Sequence, residues 1–444
     1  MACHPERRSP RRPESKASPE RVRGANKSNG VLRLPFAFSI GIRVQEHQCR
    51  PERRQRISTI GNRKAQFAIF LTAVALSFAG CRQDDFPQYP PNYREYVYVT
   101  NAGSDTVTVL DVVDVRVDRE LPVGRDPVAV AASPTRNEVY VVNSGAAGAN
   151  GSISVIDAEH NAVVATIPLH RQPVSIDINA AGTLAYVANS GANSISVVDL
   201  KTRLEIAQID AGDEPVAARL APDGKTLVVA GLHGNSATVI DPASGKVRAV
   251  FTGCPGAAGV VILPDSSKAF VPCSAGHQVM VIALARADAH PAQPDRLETL
   301  MDVGRGPVDL ALKPDGGEIF VSNSLSNSVS EIYDTTDEVG DTYMIGDEPV
   351  RGLVSSDNSL LYVANQHSQE VTVYSIDDGK RVGAIHVGDG PAALAFSAAG
   401  HLLFVADNRS GDVAVVRIAT QSLFTLLPAG RDPNAMVDKA FKVQ

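Results

Sequence analysis

The 444-residue sequence carries 42 Lys/Arg against 49 Asp/Glu, a formal net charge of −7, and no tryptophan. The charge is unevenly placed: residues 1–64 hold 16 basic and 5 acidic side chains, leaving 26 basic and 44 acidic beyond them, a net −18. A body this acidic is repelled by phosphate backbones and anionic headgroups, which argues against nucleic acid as a partner.

In chain order, residues 1–61 are rich in arginine and proline, with pairs such as Arg7-Arg8, Arg11-Arg12 and Arg53-Arg54, and lack the apolar periodicity of a core. They read as a disordered basic extension or a start placed too far upstream. Residues 62–80 follow as an export signal: Asn62-Arg63-Lys64 supplies the positive n-region, and Ala65 to Gly80 an apolar run shorter than the roughly 20 residues of a spanning helix. Phe78-Ala79-Gly80-Cys81 resembles the lipobox of bacterial lipoproteins, with Phe78 where an aliphatic residue is usual. That resemblance implies acylation of Cys81 and a membrane-anchored location in the periplasm or at the outer membrane and cell surface. Residues 81–95 then form a Pro-rich linker.

From residue 96 onward one unit recurs about every 42 residues. Its marker is an aromatic or valine, then Val, any residue, and usually Asn: Tyr98-Val99-Thr100-Asn101, Tyr140-Val141-Val142-Asn143, Tyr186-Val187-Ala188-Asn189, Val228-Val229-Ala230-Gly231, Phe270-Val271-Pro272-Cys273, Phe320-Val321-Ser322-Asn323, Tyr362-Val363-Ala364-Asn365 and Phe404-Val405-Ala406-Asp407. An alternating strand follows each marker, then a third strand, a Gly-x-x-Pro loop such as Gly124-Arg125-Asp126-Pro127, and a fourth strand of small residues such as Val128 to Ala132. Four short strands cannot bury both faces of their sheet, so neighbouring sheets must stack. The expected fold is all-β: a single β-propeller of eight four-stranded blades spanning 96–444, seven blades plus an irregular unit being the alternative. Each copy runs B, C, D, A, so the last strand, near Asn434 to Phe441, should complete the first blade and close the ring.

These motifs resemble the YVTN-repeat β-propellers, over residues 96–441. The resemblance implies kinship with the haem-binding propeller of nitrite reductases and with propeller lactonases. It is specific for fold and weak for function.

In such a ring the D-to-A and B-to-C loops share one face. Arg125, Arg171, Arg305 and Arg431 fall in D-to-A loops near the expected axial funnel, opposed by Asp126, Glu214, Asp347, Glu348 and Asp389. His170 replaces a loop glycine, while His233, His277 and His367 fall in B-to-C loops. The arginines suit a small anionic or polar ligand, and a histidine suits an axial haem or metal contact. Each residue taken singly is more simply a solvated loop residue, and no metal set is evident. Cys254 and Cys273 should lie on one face and adjacent strands, so a disulfide is expected in an oxidising compartment, free buried thiols being the alternative. Two copies are longer, by Gly145 to Gly151 on the funnel side and by residues around Asp288 to Pro294 on the other.

The functional expectation is a monomeric, lipid-tethered envelope propeller serving as a binding platform for a protein, polysaccharide or small polar ligand. No catalytic motif is visible and no cofactor is expected. The alternatives are a haem or redox-cofactor handling protein and a lactonase-like hydrolase.

Overall fold

The computed structural model describes residues 87–285 and 293–443. The basic extension, the export signal, Cys81 and most of the second insertion lie outside the described residues.

The repeat folds as read. Eight four-stranded antiparallel sheets account for thirty-two strands, and a 3-10 turn at Ser190–Ala192 is the only helical element among the described residues. The B and C strands are apolar almost without interruption because neighbouring blades cover both their faces. Strand Glu138–Asn143, for example, is buried from Val139 onward. The D strands form the outer rim and are mostly exposed, as in Leu204–Asp210.

Blade 1 shows how the ring closes. Its A strand is the end of the chain, Pro433–Lys442, paired antiparallel with its B strand, Tyr93–Asn101, in a register running from Tyr93 opposite Lys442 to Asn101 opposite Pro433. Strands Thr106–Asp111 and Arg116–Pro122 complete the sheet. The B strand begins ahead of the expected boundary at 96, and Tyr89 in the linker stacks on Tyr93 with ring centroids 4.9 Å apart.

Eight apolar clusters fill the seams between blades. One joins Val97, Val99 and Leu110 of blade 1 to Leu402, Phe404 and Val413 of blade 8. The marker aromatics Tyr98, Tyr140, Phe270, Phe320, Tyr362 and Phe404 are among the largest fully buried side chains. Each stabilises its seam by about 1.5–3 kcal/mol. The A strand of blade 5 departs from expectation: it shrinks to Val261–Ile262 with an isolated bridge between Ala257 and Cys273. Pro272 in the facing B strand has no N–H to donate, so the ladder there loses a bond.

Candidate functional site

The marker asparagine and the Gly-x-x-Pro loop form one device. The Asn143 amide, buried at the end of its strand, donates through Nδ2 to Ser154 Oγ at 3.0 Å, tying strand B to strand C. Asn101, Asn189, Asn323 and Asn365 do the same with Thr108, Ser196, Ser330 and Thr372. The loop glycine arriving from the previous blade lies directly on this amide. A Cβ at Gly124 would stand 2.6 Å from Asn143 Cγ, and Gly304, Gly346 and Gly430 meet Asn323, Asn365 and Asn101 in the same way.

The residue before the loop proline is left-handed in seven loops: Asp126, Gln172, Glu214, Gly306, Glu348, Gly390 and Asp432, with φ between 49° and 73°. Its N–H is captured by the B-to-C loop of the preceding blade, as Asp126 N by Asp105 Oδ1, Glu214 N by Asn193 Oδ1 and Glu348 N by Asn327 Oδ1. Its side chain meets the B-to-C loop of its own blade with matched size. Asp432 faces Gly103 and Gln172 faces Gly191, whereas Gly306 faces Leu325 and Gly390 faces Arg409.

This device absorbs the histidines. His233 Nδ1 contacts Glu214 Oε2, and His367 Nδ1 lies 2.6 Å from Glu348 Oε2, each the large partner of a loop glutamate. His277 is itself left-handed and takes the capping role of Asp105 or Asn193, its Nδ1 accepting from Gly306 N at 3.2 Å. His170 corrects the funnel expectation most clearly. The insertion Gly145 to Gly151 lengthens strand C of blade 2, which pairs Asn150 with Arg171 and draws His170 into the outer strand. Its Nε2 therefore meets Glu205 Oε1 at 3.0 Å on the D strand of blade 3, away from the axis. The four histidines belong to separate blades and do not converge. Among the described residues, no group of three or more His, Cys, Asp or Glu is arranged to hold a metal ion.

The arginines stand on the loop face but outside the axial channel. A channel of about 460 Å³ is walled by the inner strands, and none of the eight candidate residues lines it. Its charged side chains are Arg219, Arg351 and Asp309, in A strands that read as plain structural strands from sequence. They strap neighbouring blades together. Asp309 accepts from Arg351 Nη1 at 2.7 Å and from Gly352 N at 2.8 Å, while Asp177 accepts from Leu220 N and Arg219 Nη1 donates to Ile176 O. Arg125, Arg171, Arg305 and Arg431 instead stand exposed on the loop face. Arg305 donates to Leu325 O, while the side chains of Arg125, Arg171 and Arg431 make no ion pair with a described residue. These three sit at successive blade junctions, Arg171 as the last residue of the D strand of blade 2. Arg431 and Arg409 border a shallow depression floored by Gly103, Ser410 and Gly411.

Blade 8 breaks the pattern in a way that the sequence displays but that attracted no functional reading. Asp407 holds the asparagine position, fully buried, with Asp412 opposite it at the start of strand C. Burial pushes the Asp407 carboxyl up to about 8; the Gly388 N–H opposes that rise and the Asp412 charge adds to it. Gly388 N donates to Asp407 Oδ2 at 2.9 Å.

Similarity to known proteins follows the fold. Residues 264–429 match the family model described as Lactonase, 7-bladed beta-propeller. No curated protein matches the chain. Among solved structures, it is similar to dihydro-heme d1 dehydrogenase NirN in complex with DHE (16% identity over 79% of this chain and 76% of that one, TM-score 0.63). It is similar to AztD from Citrobacter koseri (13% identity, 79% and 99% covered, TM-score 0.59) and to a putative 6-phosphogluconolactonase from Bacteroides uniformis (17% identity, 78% and 100% covered, TM-score 0.55). At these identities the likeness is one of fold. The chain is therefore an eight-bladed β-propeller by fold, similar in fold to haem-related and lactonase propellers.

Proposed function

We propose that this chain is an exported, lipid-tethered binding propeller whose Gly-x-x-Pro face holds a partner presenting carboxylates. The observation that carries the reading is the contrast among its arginines. Arg351 and Arg409 are committed to Asp309 and Asp389 within the fold, whereas Arg125, Arg171 and Arg431, at consecutive blade junctions, are exposed and without an ion-pair partner among the described residues. An exposed guanidinium offers a planar fork matched to a carboxylate, and three on a rigid rim add geometric selectivity. The neighbouring B-to-C loops present Gly103, Gly145 and Gly191, and the side chains of Asp432 and Gln172 lie against the first and last of these. The tether rests on the residues up to Cys81.

The test uses the full-length protein and polyglutamate as the carboxylate probe. Binding that weakens with salt, and that falls at least tenfold in the triple variant Arg125→Ala, Arg171→Ala, Arg431→Ala but not in Lys201→Ala on the opposite face, supports the reading. Equal affinity of wild type and triple variant overturns it.

A hydrolase is the second reading, favoured by the family match over 264–429 and by a channel large enough for a small lactone. Lactone turnover lost in Arg351→Ala would replace the first reading. The histidines favour a haem role less, because each is already engaged with a carboxylate or a backbone N–H.

A further inference from the structure

Five blades contain a neutral donor amide and a hydroxyl acceptor at the seam beneath the Gly-x-x-Pro loop. Blade 8 contains two carboxyl groups. Asp407 stands in the asparagine position, and Asp412 in the position that Thr106, Ser152, Ser194 and Ser328 hold elsewhere, while Ala414 removes the second hydroxyl. Asp407 Oδ1 and Asp412 Oδ1 are both buried without a hydrogen-bond partner, and the two carboxyl groups interact directly, with the Ala414 and Gly388 N–H groups also bearing on Asp407. Two buried oxygens of this kind are reconciled by a single proton held between them. Protonated, Asp407 donates across to strand C as the asparagine amides do, while its Oδ2 accepts the Gly388 N–H, the counterpart of the loop N–H that Ser154, Ser330 and Thr108 hydroxyls accept in other blades.

We infer that the Asp407–Asp412 pair is a proton-operated latch on the loop face, closing the Gly388–Pro391 loop over blade 8 when the pair shares a proton and releasing it when both carboxyls ionise. The proton leaves to solvent and no other group changes state; the Gly388 N–H by itself favours the ionised carboxyl, so release is driven by the repulsion between two buried negative charges outweighing that bond. The charged groups facing the pair are few. Asp389 follows Gly388 in the loop above, accepts from Arg409 at 3.4 Å and adds negative charge. Arg409 is anchored outward to Gln366 O at 3.1 Å, and Ser410 Oγ accepts from Asp389 N at 3.0 Å. The side of strand D gives the pair only Pro428 and Leu426. The raised affinity of Asp407 for its proton places the release in mildly alkaline conditions. The latch adjoins the depression bordered by Arg409 and Arg431, so its opening alters the loop face beside the proposed arginine rim. The inference does not depend on that rim binding anything.

The test is amide hydrogen exchange of the full-length protein at pH 6.5 and 9.5, corrected for the intrinsic pH dependence, read over Gly388–Pro391 and Asn408–Gly411. In wild type the corrected exchange should rise at least tenfold at the higher pH. In Asp407→Asn it should stay at the low value at both. A rise in these segments that persists in Asp407→Asn, or its absence in wild type, overturns the latch. Carboxyl carbon NMR on aspartate-labelled protein provides an independent reading: one of the two resonances should titrate well above the ordinary carboxylate range, and two ordinary titrations overturn the shared proton. Polyglutamate binding at fixed pH reports on the rim separately.

Discussion

The Cα atoms of Cys254 and Cys273 lie 4.7 Å apart and their sulfurs are bonded, at the two positions that glycine and asparagine hold in blades 2, 6, 7 and 1. Ala257 pairs with Cys273 as Pro127 pairs with Asn143, which puts Cys254 in the place of Gly124. Blade 5 thus replaces a van der Waals contact between loop and strand with a covalent bond, where its A strand is shortest and Pro272 weakens the ladder. Closing a chain separation of 19 residues is worth on the order of 3 kcal/mol. Cys254→Ser with Cys273→Ser should lower stability by about 2–4 kcal/mol in urea unfolding, and blade 5 should show the largest gain in hydrogen exchange.

His277 acts as a loop cap. His277→Asn should leave stability within about 0.5 kcal/mol of wild type, because asparagine tolerates the left-handed backbone and offers an acceptor. His277→Val should cost about 1–3 kcal/mol through the orphaned Gly306 N–H and the β-branched residue at positive φ. Thermal unfolding of the two variants distinguishes a cap from a ligand.

The ring-closing strands carry a second acid pair. Glu95 is fully buried, accepting from Ala398 N at 2.7 Å and from Tyr93 Oη at 2.5 Å. Asp438 lies on the same sheet face, its carboxyl pushed up to about 9 by burial and then by the Glu95 charge. Its affinity for a proton is higher folded than unfolded, so this contribution is fully present below about pH 4 and fades as pH rises through 9. Asp438→Asn should flatten the decline in stability between pH 7 and 9.5, measured by urea midpoint, and should leave the hydrogen-exchange signal of the Gly388 loop unchanged.

Asp407→Asn should stabilise the protein at pH 8.5 by a few kcal/mol at most and have little effect at pH 5. The wild-type carboxyl is held protonated by the fold, and keeping that proton costs more as the pH climbs through about 8. Urea midpoints at the two pH values provide the comparison.

Gly346 has an ordinary negative φ, yet a Cβ there would collide with the Asn365 amide. Gly346→Ala should therefore destabilise by about 1–3 kcal/mol through overpacking, and Gly346→Ala with Asn365→Gly should recover part of that loss. No recovery in the double variant would mean that the glycine serves some other contact.

The spacing of Tyr98, Tyr140, Tyr186 and their successors by itself determined the strand order and the closing strand, because a period-two pattern needs both sheet faces covered, and it favoured eight blades over seven plus an irregular unit, a choice that the eight four-stranded sheets decided. The pairing of Cys254 with Cys273 was legible for the same reason: strand order places both ends. What tertiary structure decided was where charge goes. His233, His367 and His277 read as candidate ligand-face or solvated loop residues because sequence shows residue type and loop membership but not the neighbour across the loop, here Glu214, Glu348 and Gly306 N. Arg219, Arg351 and Asp309 read as strand residues, and only the ring turned them into the wall of a channel. Repeat length is a local property of the chain and survives translation into structure. Ion pairing depends on distances of a few ångströms between residues some 20 to 40 positions apart, and those distances exist only after the blades have stacked.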